Sequence, residues 1–171
     1  MIYRLRVILD TVEDIFRDIE IQASSTLEDF HNVITQSFGF AGEEMASFYV
    51  SNDAWEQGEE IALFDMSEKP GEVRVMSDTI LEDTLWEKQT KLIYVYDFLY
   101  MWTFFVELAE ITEPAPGEQY PKLLFAKGEI PAEALEPEFK GGDSDEDDEY
   151  SDDYDDGGDN YDSMDFDENW N

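Results

Sequence analysis

The stretch "YVYDFLYMWTFFVEL", Tyr94–Leu108, decides how the rest of the chain is read. It lies within an apolar, aromatic run from Leu92 to Ala109, interrupted only by Asp97 and Glu107. Three readings compete: a membrane segment, a catalytic loop built around an acid, and part of a folded sheet. The run's roughly 18 residues approach the length of a helical membrane span. Asp97 and Glu107 argue against it, each costing about 2.5–3.5 kcal/mol near a bilayer centre. The aromatic and β-branched composition suits a pleated surface instead. In "LIYVYDF", Leu92, Tyr94, Tyr96 and Phe98 alternate with Ile93, Val95 and Asp97. In "WTFFVEL", Trp102, Phe104, Val106 and Leu108 alternate with Thr103, Phe105 and Glu107. Two strands, apolar on both faces, explain this pattern best, as in central strands covered on both sides. The turn between them is then "LYM", which lacks the usual Gly, Asn, Asp or Pro.

Working outward, "YRLRVILD" places Tyr3, Leu5, Val7 and Leu9 on one face, and "IFRDIEIQ" alternates in the same way. "DTVED" between them reads as a hairpin connection. Ser25 and Glu28 have capping-box spacing, and Leu27, Phe30, Ile34 and Phe38 follow at helical spacing until Gly39. A third strand is expected at "MASFYVS", then a loop with a short strand in "DAWEQGEEIALFD". A short helix or turn capped by Asp78 is expected in "DTILEDTL". The order strand, strand, helix, then several strands predicts an α+β fold. Its layout is a β-grasp-like mixed sheet with one main helix packed on one face.

The chain has 44 acidic residues against 10 basic ones, a net charge of −34, and no cysteine. The missing thiols exclude a disulfide framework and thiolate metal ligation. The charge opposes direct binding to nucleic acids or anionic membranes, which draw affinity from Lys and Arg. It points to a basic protein partner and to no cofactor. The opening "MIYRLRVILD" shows no signal-peptide pattern, so a cytoplasmic location is expected. All ten basic residues and 29 of the acids fall in residues 1–140, for a net charge of about −19. From Gly141-Gly142 onward acids dominate and no base occurs. Residues 1–140 therefore read as the folded domain, and 141–171 as a disordered acidic tail.

The residues of the opening stretch resemble the plasmid pRiA4b ORF-3-like family, also described as insertion-element passenger proteins of TnpR type. Members usually show Tyr-Asp-Phe-Gly-Asp-x-Trp-x-His on this hairpin. Tyr96, Asp97, Phe98 and Trp102 match, whereas Leu99, Tyr100 and Phe104 replace the Gly, Asp and His. "STLEDFHNVITQSFGF", "MASFYVSNDAWEQGEEIALFD" and "YPKLLFAKGEIPAE" are also similar to the family, so that the resemblance covers most of residues 1–137 and not the acidic tail. It implies a bacterial protein, an association with mobile elements and the α+β fold, but no established activity. The replacements imply that any polar family site is eroded here, or converted to a hydrophobic contact surface. Resolvase activity is rejected: only Arg4, Arg17, Arg74 and Arg6 are available as guanidinium groups in a strongly negative chain.

Candidate sites follow from these residues. Asp97 and Glu107 are weak catalytic candidates, since two carboxylates facing each other can act as an acid–base pair. The plainer role for Asp97 is an acid at a strand end that accepts hydrogen bonds from backbone amides. His31 is the single histidine and borders the helix's apolar stripe, as a partly buried packing residue does. Ser24 and Ser25 read as capping residues rather than nucleophiles. No phosphate-loop, dinucleotide or zinc-protease motif occurs. In the tail, neither Gly157 nor Gly158 can serve as the sixth position of a calcium loop with ligands in register, so no metal site is expected. Tyr150, Tyr154, Tyr161, Phe166 and Trp170 recur among the acids as anchors that a groove can bury.

The leading expectation is a non-enzymatic interaction module that offers sheet edges or the aromatic hairpin to a partner, with the tail steering basic proteins. The alternatives are a hydrolase-like or metal-dependent enzyme using Asp97 and Glu107, and a DNA mimic that occupies the groove of a DNA-binding protein.

Overall fold

The computed structural model describes residues 1–69 and 71–131. The expected tail 141–171 and its aromatic anchors lie outside the described residues. Met1–Ile130 form one compact unit. The strands are β1 (Ile2–Leu9), β2 (Phe16–Gln22), β3 (Ala46–Ser51), β4 (Gln57–Ala62), β5 (Arg74–Val75), β6 (Lys91–Tyr96), β7 (Trp102–Thr112) and β8 (Lys122–Lys127). The α-helices are α1 (Leu27–Phe38) and the single turn α2 (Leu81–Thr84). The eight strands make one sheet in the order β5-β4-β3-β6-β7-β1-β2-β8. Every neighbouring pair is antiparallel except β4 with β5, so the sheet is mixed and the fold is α+β, mostly sheet.

Strand alternation sets the two faces of this sheet. Tyr3, Leu5 and Val7 of β1 pair with Ile21, Ile19 and Arg17 of β2. On the other side Leu5, Val7 and Leu9 pair with Leu108, Val106 and Phe104 of β7. Leu92, Tyr94 and Tyr96 of β6 extend the same face opposite Val106, Phe104 and Trp102. Helix α1 lies on it, burying Leu27, Phe30, His31, Ile34 and Phe38. Phe30 stacks on Phe48 with centroids 5.6 Å apart, and Phe38 meets Phe104 at 4.8 Å. These contacts fix the helix over β3 and β7. Among the described residues the opposite face has no helix; it carries Arg4, Arg6, Asp18, Glu20, Lys91, Phe105 and Glu107.

The structure moves four sequence expectations. The helix cap is Thr26 with Asp29, one residue later than Ser25 and Glu28. The cause lies in the residues just before it: the amides of Leu81 and Glu82 donate to the carbonyls of Ser25 and Ala23 at 2.9 and 3.0 Å. Ser25 is thereby held in a bend, its amide closing a turn onto the Gln22 carbonyl at 3.0 Å, and the helix starts after it. The same two bonds satisfy the start of α2, so Asp78 is not its cap; Asp78 ends a 3-10 turn, Met76–Asp78. Strand β6 ends at Tyr96, which puts Asp97 in the turn rather than in the strand. Finally, "KLLFAK" forms the edge strand β8, which periodicity alone did not reveal because Leu123, Leu124 and Phe125 are all exposed.

Candidate functional site

The corner between β6 and β7 is built on Asp97. Its backbone has φ of +65°, and that of Met101 has φ of +56°. Left-handed backbone disfavours most side chains, and Asp is among those that tolerate it. The amide of Asp97 donates to the carbonyl of Met45 at 2.7 Å, tying the corner to the loop before β3. Its carbonyl accepts from the amides of Tyr100 and Met101 at 3.1 and 2.6 Å. Its carboxylate oxygen Oδ1 accepts from the amides of Leu99 and Tyr100 at 3.0 and 3.4 Å. The turn residue missing from "LYM" is thus Asp97 itself, in an Asx turn.

Beneath the corner lies an aromatic buttress. Phe40 packs on Tyr96, Trp102 and Phe104 with centroid distances of 4.6, 5.4 and 6.1 Å. Phe40 follows Gly39, whose φ of +88° ends α1. The amide of Phe40 reaches back to the carbonyl of Thr35 at 2.9 Å. An apolar residue just after a terminating glycine commonly folds back in this way. That was the available sequence signal for Phe40, and periodicity missed it. The Tyr96 hydroxyl accepts from the amides of Gly42 and Glu44 at 3.0 and 3.4 Å, fixing the same loop.

Above this base, Phe98, Leu99, Tyr100 and Met101 are 44, 79, 46 and 54% exposed. They are four consecutive large apolar or aromatic side chains facing solvent. The replacements in the family motif therefore have opposite fates. Leu99 and Tyr100 point outward, whereas Phe104 is fully buried between Phe38, Tyr94 and Phe40. The neighbouring loops, residues 10–14 and 40–45, carry Asp10, Glu13, Asp14, Glu43 and Glu44 and no basic residue. The Asp10 amide donates to the Thr103 carbonyl at 2.8 Å, which places the first loop beside the corner.

Asp97 and Glu107 do not come together. Glu107 is opposite Lys91 in the β6–β7 register, six residues along from Asp97. That is roughly 20 Å at the rise of a strand. Glu107 instead pairs with Lys91 at 3.1 Å, and Lys91 also reaches Asp53 at 3.4 Å. The acid–base pair expected from alternation is corrected by this register: a shared face does not bring residues to the same level of a hairpin. Among the described residues no group of three or more His, Cys, Asp or Glu side chains is placed to hold a metal ion.

His31 is buried in the helix–sheet layer, with Nδ1 2.7 Å from the Tyr94 hydroxyl. Burial lowers the His31 imidazole to about 4 and raises the Tyr94 phenol. Both groups are neutral at pH 7 and join α1 to β6. Among the described residues no hydrogen bond joins Ser24 or Ser25 to His31, whose ring partner is Tyr94. Arg17, on β2, is also buried; it stacks on Phe38 at 4.6 Å and donates to the carbonyls of Ser37, Phe16 and Lys127. Its role is to close the C-terminal end of α1 against the sheet.

The sequence profile described as "Plasmid pRiA4b ORF-3-like protein" matches residues 1–170. The chain belongs to the plasmid pRiA4b ORF-3-like family. The match runs past residue 137, where the resemblance read from the residues stopped, and through most of the acidic segment. The chain is similar to a crystal structure of a protein of unknown function from Methanosarcina mazei Go1. The two share a TM-score of 0.63 and 21% identity over 73% of this chain and 68% of the other. That likeness supports the fold. No curated protein matches this plasmid pRiA4b ORF-3-like chain. Among the described residues, no helix is long and apolar enough to cross a membrane.

Proposed function

We propose that this pRiA4b ORF-3-like protein is a non-enzymatic interaction module that grips a basic protein with its Asp97–Met101 corner. The observation that carries the reading is the run of exposed side chains from Phe98 to Met101 on a backbone fixed by Asp97. Rigid aromatic and aliphatic groups lose little conformational freedom on binding, and such groups dominate binding energy at interfaces. The acids of the neighbouring loops select a partner with Lys or Arg around an apolar centre. The acidic segment 141–171, with Tyr150, Tyr154, Tyr161, Phe166 and Trp170, adds long-range steering toward the same kind of partner. We keep "β-grasp-like" for the layout of one main helix on a mixed sheet, and for nothing finer. The association with mobile elements that the resemblance implies makes a DNA-handling protein the first partner class to test.

A photo-crosslinking side chain placed at Leu99 tests the reading in cells, with the same group at Asn32, exposed on α1, as control. The expected result is one dominant adduct with a basic protein from Leu99, absent from Asn32, and weakened by added salt. Identical adduct patterns from the two positions would overturn the proposal. So would tight binding of a divalent metal that is lost on Asp97→Ala, since that restores an active polar site at the corner.

A further inference from the structure

Strand β8 ends the sheet on one side. Among the described residues its one strand neighbour is β2, so its outer row of amides and carbonyls meets no described strand. Leu123, Leu124 and Phe125 on it are 48, 42 and 53% exposed. An apolar edge of this kind is a template for another strand, and soluble proteins seldom leave one uncovered. The opposite edge, β5, is only two residues long and offers no comparable template.

We propose that β8 pairs antiparallel with β8 of a second copy, joining two sheets into one across a twofold axis. The choice of a second copy rests on charge and register. The chain carries −34 overall and repels itself over most of its surface. Residues 122–127 contain two lysines and no acid. Lys122 pairs with Glu118 at 2.7 Å and with Glu20 at 3.8 Å, and Lys127 pairs with Asp14 at 3.6 Å, so the acids beside the edge are matched by its lysines far better than in the chain as a whole. It is a place where two acidic molecules can meet.

Symmetry leaves few registers. A twofold between Leu124 and Phe125 sets Lys122 against Lys127 of the second copy, and like charges directly opposite are destabilising. A twofold through Phe125 avoids this. Phe125 then faces Phe125 of the second copy, Leu124 faces Ala126, and Leu123 faces the aliphatic stem of Lys127. Cross-strand aromatic pairs and snorkelling lysine stems are both favourable arrangements. A six-residue edge is a small interface, so association is concentration-dependent. Added salt strengthens it by screening the repulsion between the two acidic bodies, the reverse of its effect on a basic partner at the corner.

The chain has no cysteine, which makes single-cysteine variants of the full-length protein clean reporters. Opposed residues of an antiparallel pair lie within the Cα range of a disulfide, about 4.4–6.8 Å. Under mild oxidation Phe125→Cys is expected to form a covalent dimer at least about tenfold faster than Val12→Cys, a fully exposed control in the β1–β2 turn. Sedimentation velocity of the unmodified protein is expected to show a dimer that grows with protein and salt concentration and is lost in Ala126→Pro. Leu124→Lys, at an exposed position that leaves the strand's backbone bonds intact, gives the same loss without perturbing β2–β8. A monomer at every concentration and salt level would overturn the proposal; the bulge at Leu124 and the two lysines would then be edge-blunting devices. Equal cross-linking rates for the two cysteine variants would overturn it as well.

Discussion

The two faces of the sheet are made by alternate residues of the same strands, yet they follow different rules. On the helix-covered face, Leu5, Val7, Ile19, Ile21, Tyr94, Phe104 and Val106 are buried against α1, and the polar groups among them are neutral or bonded to backbone. On the open face the charges form a chain of ion pairs across four strands. Glu110 meets Arg4, Arg4 meets Glu20, and Glu20 meets Lys122, at 2.5, 2.7 and 3.8 Å. Arg6–Asp18 at 2.8 Å and Lys91–Glu107 at 3.1 Å flank it. The teaching is a division of labour. Apolar burial dominates one face, while the other joins a smaller buried set, Ile2, Ile93 and Val95, to charge pairs that offset repulsion along the strands of a very acidic protein.

The largest effect is expected from breaking the helix-covered face. Phe104 is fully buried where β7 meets Phe38, Phe40 and Tyr94. Phe104→Ala removes a large side chain that the fixed aromatic neighbours cannot replace, so urea unfolding is expected to show a loss of about 3–5 kcal/mol. Against a typical total of about 5–15 kcal/mol, that brings the fold to the edge of unfolding.

The next effect uses pH to charge the same face. His31 in the folded protein is lowered to about 4 from its ordinary 6.5 by burial beside Tyr94. The unfolded chain therefore binds the proton first. Stability from the neutral His31 is fully present above about pH 6.5 and is lost as pH falls toward 4, by an amount on the order of 3 kcal/mol. His31→Leu has no proton to take up. Its stability, measured by urea unfolding from pH 7 to pH 4, is expected to fall less steeply than that of the parent over that window. Parallel curves for the two proteins would show that the acids of the chain, rather than His31, carry the pH dependence.

Much of the helix-covered face was legible in the sequence, because apolar alternation and the spacing of Leu27, Phe30, Ile34 and Phe38 are local patterns. The open face and the corner were less so. Alternation placed Asp97 and Glu107 together, but which residues stand level is decided by where the turn begins, and Asp97 supplies the turn. The helix cap moved by one residue because a distant segment, Leu81 and Glu82, bonds to Ala23 and Ser25. Strand β8 hid because neither of its faces is buried, so its sequence carries no alternation to read. Local chemistry was readable; pairing across the chain was not.

Asp97 lies where the two faces end, and it tests how the corner is held. Asp97→Ala removes the acceptor for the Leu99 and Tyr100 amides and leaves a side chain at φ of +65°. A loss of about 1–2 kcal/mol is expected. Asp97→Asn keeps both the acceptor and the tolerance of that backbone, so it is expected to stay within about 0.5 kcal/mol of the parent. Asp97→Gly relieves the backbone but not the lost acceptor and falls between them. Thermal unfolding of the three variants gives the order. Equal losses in Asn and Ala would mean that the negative charge, not the turn geometry, holds the corner.

The smallest effect is expected on the open face. Arg6 makes a two-point contact with Asp18, at 2.8 and 2.9 Å, and its guanidinium lies 4.2 Å from the Phe16 ring centroid. Arg6 is exposed, and exposed ion pairs contribute about 0–1 kcal/mol. Arg6→Ala removes both the pairing and the cover over Phe16. Arg6→Met removes the charge but keeps a flexible chain that can lie on the ring. If charge pairing is what this face contributes, the two variants lose similar stability and the loss shrinks in high salt for the parent comparison. If cover over the ring dominates, Arg6→Met stays near the parent at all salt levels. The second outcome would extend the rule of the helix-covered face to its opposite, with the ions of the open face serving mainly as lids on its aromatic residues.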